Sequence, residues 1–278
     1  MKEIYEFRVN KKFSNLLPDT ISGEDLGLVV KIQIDKSSIE FDIIKGLTEK
    51  IKETEKEFFF YGWSIKRKYS QKEFDNAKLL HLIIDTTFEP AGEECGTLYD
   101  ESTACLICGA DRKQISPLKL KRSSIPKKDI ARTIAGEVVV SEKFALAIKE
   151  RSLNGAILKP IVFNKSAAKY YQLNSSVEVE LSRNTLAGVN PFDFSSSSEG
   201  EIYYCPNGDT IGLNLLSEPY ILQCSAINNY DLLVSKQKLG VKRGLLRPEP
   251  LFFCSTAFKQ MIQDEKLRGF SFEVTNVE

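Results

Sequence analysis

The chain has 278 residues, 42% apolar and 27% charged, and its 38 basic residues balance 38 acidic ones. That is the composition of a globular protein long enough to bury a sizeable core without covalent staples. No run approaches the roughly 20 apolar residues needed to span a bilayer, which excludes a helical membrane protein, and the zero net charge argues against a protein built mainly to grip phosphate backbones. The opening Met1-Lys2-Glu3-Ile4-Tyr5-Glu6-Phe7-Arg8 lacks the apolar stretch of a secretory signal. The expected location is therefore the cytoplasm, where thiols stay reduced. The one histidine, His81, excludes any mechanism or metal site that needs two.

Residues 1–93 read as an α+β part. Ile39, Ile43, Leu47 and Ile51 predict a helix within 35–52, capped by Ser37 or Ser38. The aromatic stretch Glu57 to Ile65 is β-prone, the charged stretch Ser70 to Asn76 suits a short helix, and Lys78 to Asp85 reads as a buried strand. Pro90-Ala91-Gly92 is a break. From Glu93 to about Lys128 the chain is loop-like and carries Cys95, Cys105 and Cys108, so something other than a core must order it. The expected division is 1–93 and 94–278.

After Asp129 one pattern occurs twice. Val138-Val139-Val140-Ser141-Glu142-Lys143-Phe144 runs through Ile148 and Leu153 to Gly155. Phe252-Phe253-Cys254-Ser255-Thr256-Ala257-Phe258 runs through Ile262 and Leu267 to Gly269, 114 positions later. Each copy reads as strand, serine N-cap, short helix, terminating glycine and strand, a candidate duplication. Between the copies, Asn190-Pro191-Phe192-Asp193-Phe194 and Ser195 to Ser198 read as a polar loop or linker. Asn207-Gly208, between the apolar runs 202–205 and 210–213, signals a hairpin. Asp231 to Val234 and Gly244 to Leu246 add short β-like pieces. The expected class is α+β, with mixed sheets, short helices and a zinc-knuckle-like insert.

The chemistry concentrates in Cys105-Leu106-Ile107-Cys108-Gly109. Two cysteines separated by two residues can bite one tetrahedral ion, and the glycine lets backbone amides turn toward the sulfurs. The expected centre is a structural zinc held by Cys105 and Cys108 with two further donors from Cys205, Cys95, Asp209 or His81. Cys205-Pro206-Asn207-Gly208-Asp209 resembles a knuckle whose second cysteine is missing. Two unligated thiols, or a redox pair, are the competing readings. A redox pair would open a helix after a strand, which is not the context here. His81 among Leu79, Leu80, Leu82 and Ile83 reads as a strand histidine rather than the base of a Cys95 dyad, and no glycine-rich phosphate loop is present. Two basic stretches, Arg112 to Arg132 and Lys236 to Arg247, with Trp63, Tyr203 and Tyr204 to stack bases, keep a nucleic-acid interface open. The competing reading is a solvated face balanced by acids such as Glu53, Glu55 and Glu57.

The run Cys105-Leu106-Ile107-Cys108-Gly109, followed by Asp129-Ile130-Ala131-Arg132-Thr133-Ile134-Ala135 and by Val138 to Phe144, resembles the bacterial "double CXXCG" proteins grouped with immunity proteins of polymorphic toxin systems. The likeness covers residues 95–163, with an echo at 252–277. It implies a zinc-stabilised cytoplasmic antitoxin that binds and blocks a cognate toxin, and it transfers no catalytic residue. This sequence has one complete CxxCG; Cys205-Pro206-Asn207-Gly208 is a degenerate second copy. Three function classes follow: a non-enzymatic protein-binding immunity protein, a nucleic-acid-binding knuckle protein, and an enzyme using carboxylate or thiolate chemistry.

Overall fold

In the computed structural model the described residues are 1–163, 169–192, 204–209 and 214–278. The expected serine linker at Ser195 to Ser198, Tyr203 and the apolar flank 210–213 of the Asn207-Gly208 hairpin lie outside them. The chain divides between Glu73 and Phe74 into two units, with residues 190–192 joining the first.

The first unit holds strands β1 (Lys2–Asn10), β2 (Gly23–Asp25), β3 (Val29–Asp35) and β4 (Phe60–Lys68) in the order β2-β3-β1-β4, with helix α1 (Ile39–Thr54). Alternation along β1 and β3 buries Tyr5, Phe7, Val9, Ile32 and Ile34 on one face. Helix α1 buries Phe41, Ile44 and Ile51, whereas Ile39 and Ile43, expected on the core face, are exposed. The aromatic ring sets the rotation: Phe41 lies 4.7 Å from the Tyr5 ring and 5.3 Å from Phe192, and the same face adds Ile44 and Ile51 to the core, aromatic pairs contributing beyond their buried area. Ser38 occupies the N-cap without a side-chain cap bond. Trp63, considered as a base-stacking ring, packs against this core. The short helix α2 (Gln71–Asn76) forms where the charged stretch predicts it.

The second unit carries β5 (Leu79–Ile84), β6 (Thr87–Phe88), β7 (Tyr99–Asp100), β8 (Lys113–Gln114), β9 (Ile130–Thr133), β10 (Val138–Ser141), α3 (Glu142–Glu150), β11 (Ala156–Pro160), β12 (Tyr170–Ser175), β13 (Glu178–Val179), β14 (Ala187–Gly188), β15 (Asn214–Leu215), β16 (Tyr220–Ile221), α4 (Ala226–Asn229), β17 (Leu232–Leu239), β18 (Glu249–Cys254), α5 (Thr256–Asp264) and β19 (Phe270–Val277). Its larger sheets run β11-β12-β10-β9-β6 and β13-β17-β18-β5-β19-β16. Strand β5 belongs to the N-terminal part expected from sequence, yet both its edges pair in this unit, with β18 and β19. Pro90-Ala91-Gly92 is a packed turn inside the unit, since Ala91 is buried and a Cβ on Gly92 would meet Leu118 at 2.6 Å. Gly244 to Leu246 forms no strand; an isolated Arg243–Leu246 bridge stands there.

The duplication extends well beyond the two strand-helix-strand copies. The series β5, β6, β9, β10, α3, β11 recurs as β12, β13, β17, β18, α5, β19, and every ladder repeats in register. Val139 faces Ala131 as Phe253 faces Leu233. Leu158 faces Leu173 as Phe272 faces Leu82, and Val139 faces Gln172 as Phe253 faces His81. The parallel pairs recur too: Thr87 with Arg132, and Glu178 with Val234. In each repeat the leading strand lies in the other repeat's sheet. Strand β5 fits between β18 and β19, and β12 fits between β10 and β11.

Reciprocal hydrogen bonds lock this exchange. Ser141 caps α3 by accepting from Phe144 N–H, and Ser255 caps α5 by accepting from Phe258 N–H. Each serine hydroxyl donates to an aspartate that also accepts a backbone N–H from the other repeat: Asp129 from Ser141 at 3.1 Å and Arg268 at 2.9 Å, Asp231 from Ser255 at 2.7 Å and Asn154 at 2.9 Å. Contacts that recur with the partners exchanged mark an isologous arrangement. Phe144 and Phe258, both fully buried, meet at 6.0 Å in the shared core with Ile148, Ile262, Leu82 and Leu173.

No helix among the described residues is long and apolar enough to cross a membrane. The terminating glycines test the reciprocity. A Cβ on Gly155 would meet Leu232 O at 2.2 Å, and one on Gly269 would meet Ile130 O at 2.3 Å, both at positive φ. Gly155→Ala and Gly269→Ala are each expected to cost about 2–4 kcal/mol in urea unfolding, by equal amounts within ~1 kcal/mol. A neutral effect at either position would contradict the packing.

Candidate metal centre

Cys105, Cys108 and Cys205 come together, their sulfurs mutually within 4.8 Å. They reach this point from matching places in the two repeats. Cys105 and Cys108 stand in the long connection from β6 to β9, and Cys205 in that from β13 to β17.

Local backbone chemistry shapes each knuckle. In the first, Gly109 N–H donates to Cys105 O and Cys105 N–H to Ala110 O, both at 2.8 Å. Gly109 has φ +80°, and a Cβ there would meet Lys242 Cβ at 2.5 Å, so only glycine closes this turn. In the second, Gly208 N–H donates to Cys205 O at 2.9 Å and Cys205 N–H to Asp209 O at 3.0 Å. Gly208 has φ +88°, giving the tight turn that Asn207-Gly208 predicts. The end of β17 and the connection after it hold both knuckles: Lys242 N–H donates to Cys108 O at 2.8 Å, and Lys238 N–H, in β17, to Asp209 Oδ1 at 2.8 Å.

Cys108 is fully buried and Cys205 is 3% exposed, while Cys105 is half-buried. Burial pushes the Cys108 and Cys205 thiols up. Backbone N–H groups of Cys108 and Ile107 draw the Cys105 thiol down, because they favour the thiolate. Asp209 is also 3% exposed, and its Oδ2 accepts from Cys108 Sγ at 3.4 Å and Cys205 Sγ at 3.5 Å. The apolar cluster here contains Cys108, Ala110 and Cys205, with Cys105 against it. Such small side chains remove little apolar area from water, so hydrophobic burial alone holds these loops weakly.

The other expected donors lie elsewhere. Cys95 packs in a separate apolar cluster with Phe88, Leu118 and Ile161; being near Cys105 in sequence does not bring it to the sulfurs, because strand β7 separates the two and carries Cys105 into the β7–β8 loop. His81 stays in β5, its Nδ1 3.8 Å from Glu273 Oε2, as a strand histidine. Cys254 is fully buried core, and Cys224 packs against a third cluster. All six cysteines are free.

The basic stretches fold onto acids. Arg112 pairs with Glu93 at 2.7 Å and Glu101 at 3.4 Å and lies over the Tyr99 ring at 3.8 Å. Arg247 pairs with Glu93 at 3.3 Å, Lys242 with Glu101 at 3.0 Å, Lys238 with Asp111, and Arg132 with Glu249. Arg112, Lys238, Arg247 and Glu249 border a cavity of about 540 Å³ beside the first knuckle, with Glu137 and the Gln114–Gln172 amide pair in its lining. Burial raises the Glu249 carboxyl above its usual range. The sequence offered a solvated face balanced by acids such as Glu53, Glu55 and Glu57 against a nucleic-acid interface; the acids that meet these cations are Glu93, Glu101, Asp111 and Glu249.

No family model matches the chain, and no curated protein matches it.

The thiol environments make an ordered prediction. In reduced, metal-free, native protein, Cys105 is expected to alkylate at least about tenfold faster than Cys108 or Cys205, read by peptide mass spectrometry, since thiolate fraction and access set the rate. Faster modification of either buried thiol would contradict the geometry.

Proposed function

We propose that the protein is a non-enzymatic bacterial binding protein of the immunity type, stabilised by zinc held through Cys105, Cys108 and Cys205, that acts in the cytoplasm by docking and blocking a protein toxin. The observation that carries the metal part is the meeting of three thiols from two long loops whose shared cluster has no large apolar side chain. Thiolates of this kind select zinc among abundant divalent ions, and a fourth protein donor would close the site as in structural centres, whereas catalysis needs an open position for water. Six free cysteines suit a reducing compartment.

The immunity part rests on the resemblance to double CXXCG proteins. It gains support from the duplication, which gives each repeat one knuckle in the same connection. The nucleic-acid reading is weakened by the carboxylates facing Arg112, Arg132, Lys238, Lys242 and Arg247, because cations already neutralised release fewer counterions on binding.

Protein purified under reducing conditions without added zinc is expected to carry about one zinc per chain. Cys108→Ser should lose it and lower Tm by about 10 °C, the shift of about 3–5 kcal/mol in a chain of this size. No metal in either protein would overturn the staple. For the partner, co-expression with a toxin encoded beside it should restore growth of the host, and Cys108→Ser should not. Failure of the metal-loaded wild type to protect, with a tight and steeply salt-dependent complex with RNA or DNA, would favour the nucleic-acid reading instead.

A further inference from the structure

We propose that Asp209 is the fourth protein ligand, so that the centre is a three-thiolate, one-carboxylate site built across the two repeats, with the second knuckle shorter by one residue than the first. This rests on the metal reading above and is independent of the immunity reading.

The first argument is equivalence. Both knuckles start at a cysteine and close on a positive-φ glycine whose N–H returns to that cysteine's carbonyl, Gly109 to Cys105 and Gly208 to Cys205. In both, the cysteine N–H bonds to the carbonyl of the residue after the glycine, Ala110 or Asp209. Cys105 to Gly109 is five residues, and Cys205 to Gly208 is four. With the glycines matched, Asn207 stands where the first knuckle has Cys108, so the second knuckle carries no second thiol. Asp209, where the first knuckle has Ala110, turns a carboxylate oxygen toward the sulfurs of Cys108 and Cys205.

The second argument is distance. With zinc–sulfur bonds of about 2.3 Å, a zinc–oxygen bond of about 2.0–2.2 Å and tetrahedral angles, the sulfur-to-oxygen edge is about 3.5 Å. Asp209 Oδ2 lies 3.4 Å from Cys108 Sγ and 3.5 Å from Cys205 Sγ, matching two of these edges; it stands more than 4.8 Å from the sulfur of Cys105, the half-buried thiol, so that third edge closes only when the ion binds. The third is charge. Asp209 is 3% exposed, and its partners among the described residues are two thiols and a backbone N–H, none of them a cation. A buried carboxylate without a counter-charge is costly, and a divalent cation supplies one. The other oxygen, Oδ1, accepts from Lys238 N–H at 2.8 Å, which fixes the carboxylate as an outer hydrogen bond fixes metal-ligating groups.

The test is cobalt substitution of the full chain, read by the sulfur-to-cobalt charge-transfer band, with X-ray absorption of the zinc form for the donor count. Wild type is expected to show three sulfurs and one oxygen. Asp209→Cys should raise the charge-transfer intensity by about one third, as four thiolates replace three. Asp209→Asn should weaken zinc binding by at least about tenfold. Uptake of metal with a spectrum and affinity unchanged in Asp209→Asn would overturn the Asp209 assignment alone, as would a spectrum altered by Cys95→Ser. No metal uptake by wild type would overturn the metal reading and this assignment with it.

Discussion

The exchange of leading strands between the two repeats is the constraint on which the rest of the second unit depends. Strand β5 completes the sheet of β18 and β19, and β12 completes that of β10 and β11. Neither repeat possesses a complete sheet of its own. Leu80 and Leu82 on one exchanged strand and Leu173 on the other line a single core with Phe144 and Phe258. Removing either strand would therefore open both an inner sheet position and the common core. Asp129 and Asp231 fasten the same exchange at the helix caps, so capping and repeat-to-repeat docking are one interaction.

The exchange also explains where the thiols meet. The long connections that follow β6 and β13 leave equivalent strand ends and carry one knuckle each. They lack large apolar groups where they converge, and what joins them is polar: three sulfurs, one carboxylate and the backbone N–H groups of Lys238 and Lys242. The ion pairs of Arg112 and Arg247 with Glu93 and Glu101 secure the same region. The guanidinium groups are buried while Glu101 stays exposed, so these pairs hold geometry more than they add net stability, because desolvation of the arginines offsets much of the attraction.

Much of this was legible in the residues, and the parts that were not have physical causes. The spacing of 114 between Val138 and Phe252 revealed two strand-cap-helix-glycine copies because serine caps and terminating glycines are local signals. The rest of the duplication was hidden, since connections of different length shift the spacing to 102 between β9 and β17 and to 91 between β5 and β12. Strand β5 looked N-terminal because sequence order does not show strand exchange. In α1, apolar spacing alone could not choose between the Ile39 and Phe41 faces; ring contacts with Tyr5 and Phe192 chose. Cys105 and Cys108 were plain from the CxxCG spacing. Cys205 and Asp209 were candidates that tertiary structure separated from Cys95 and His81.

The most direct measurement of the central claim is native-state amide hydrogen exchange across a urea series. If the exchanged strands bind the repeats into one cooperative unit, the inner amides of β5 and β12 should open with the same free energy and the same urea dependence, matching global unfolding of the second unit. Opening of β12 at a free energy several kcal/mol below that of β5, with a smaller urea dependence, would show the two sheets to be separate units and contradict the account.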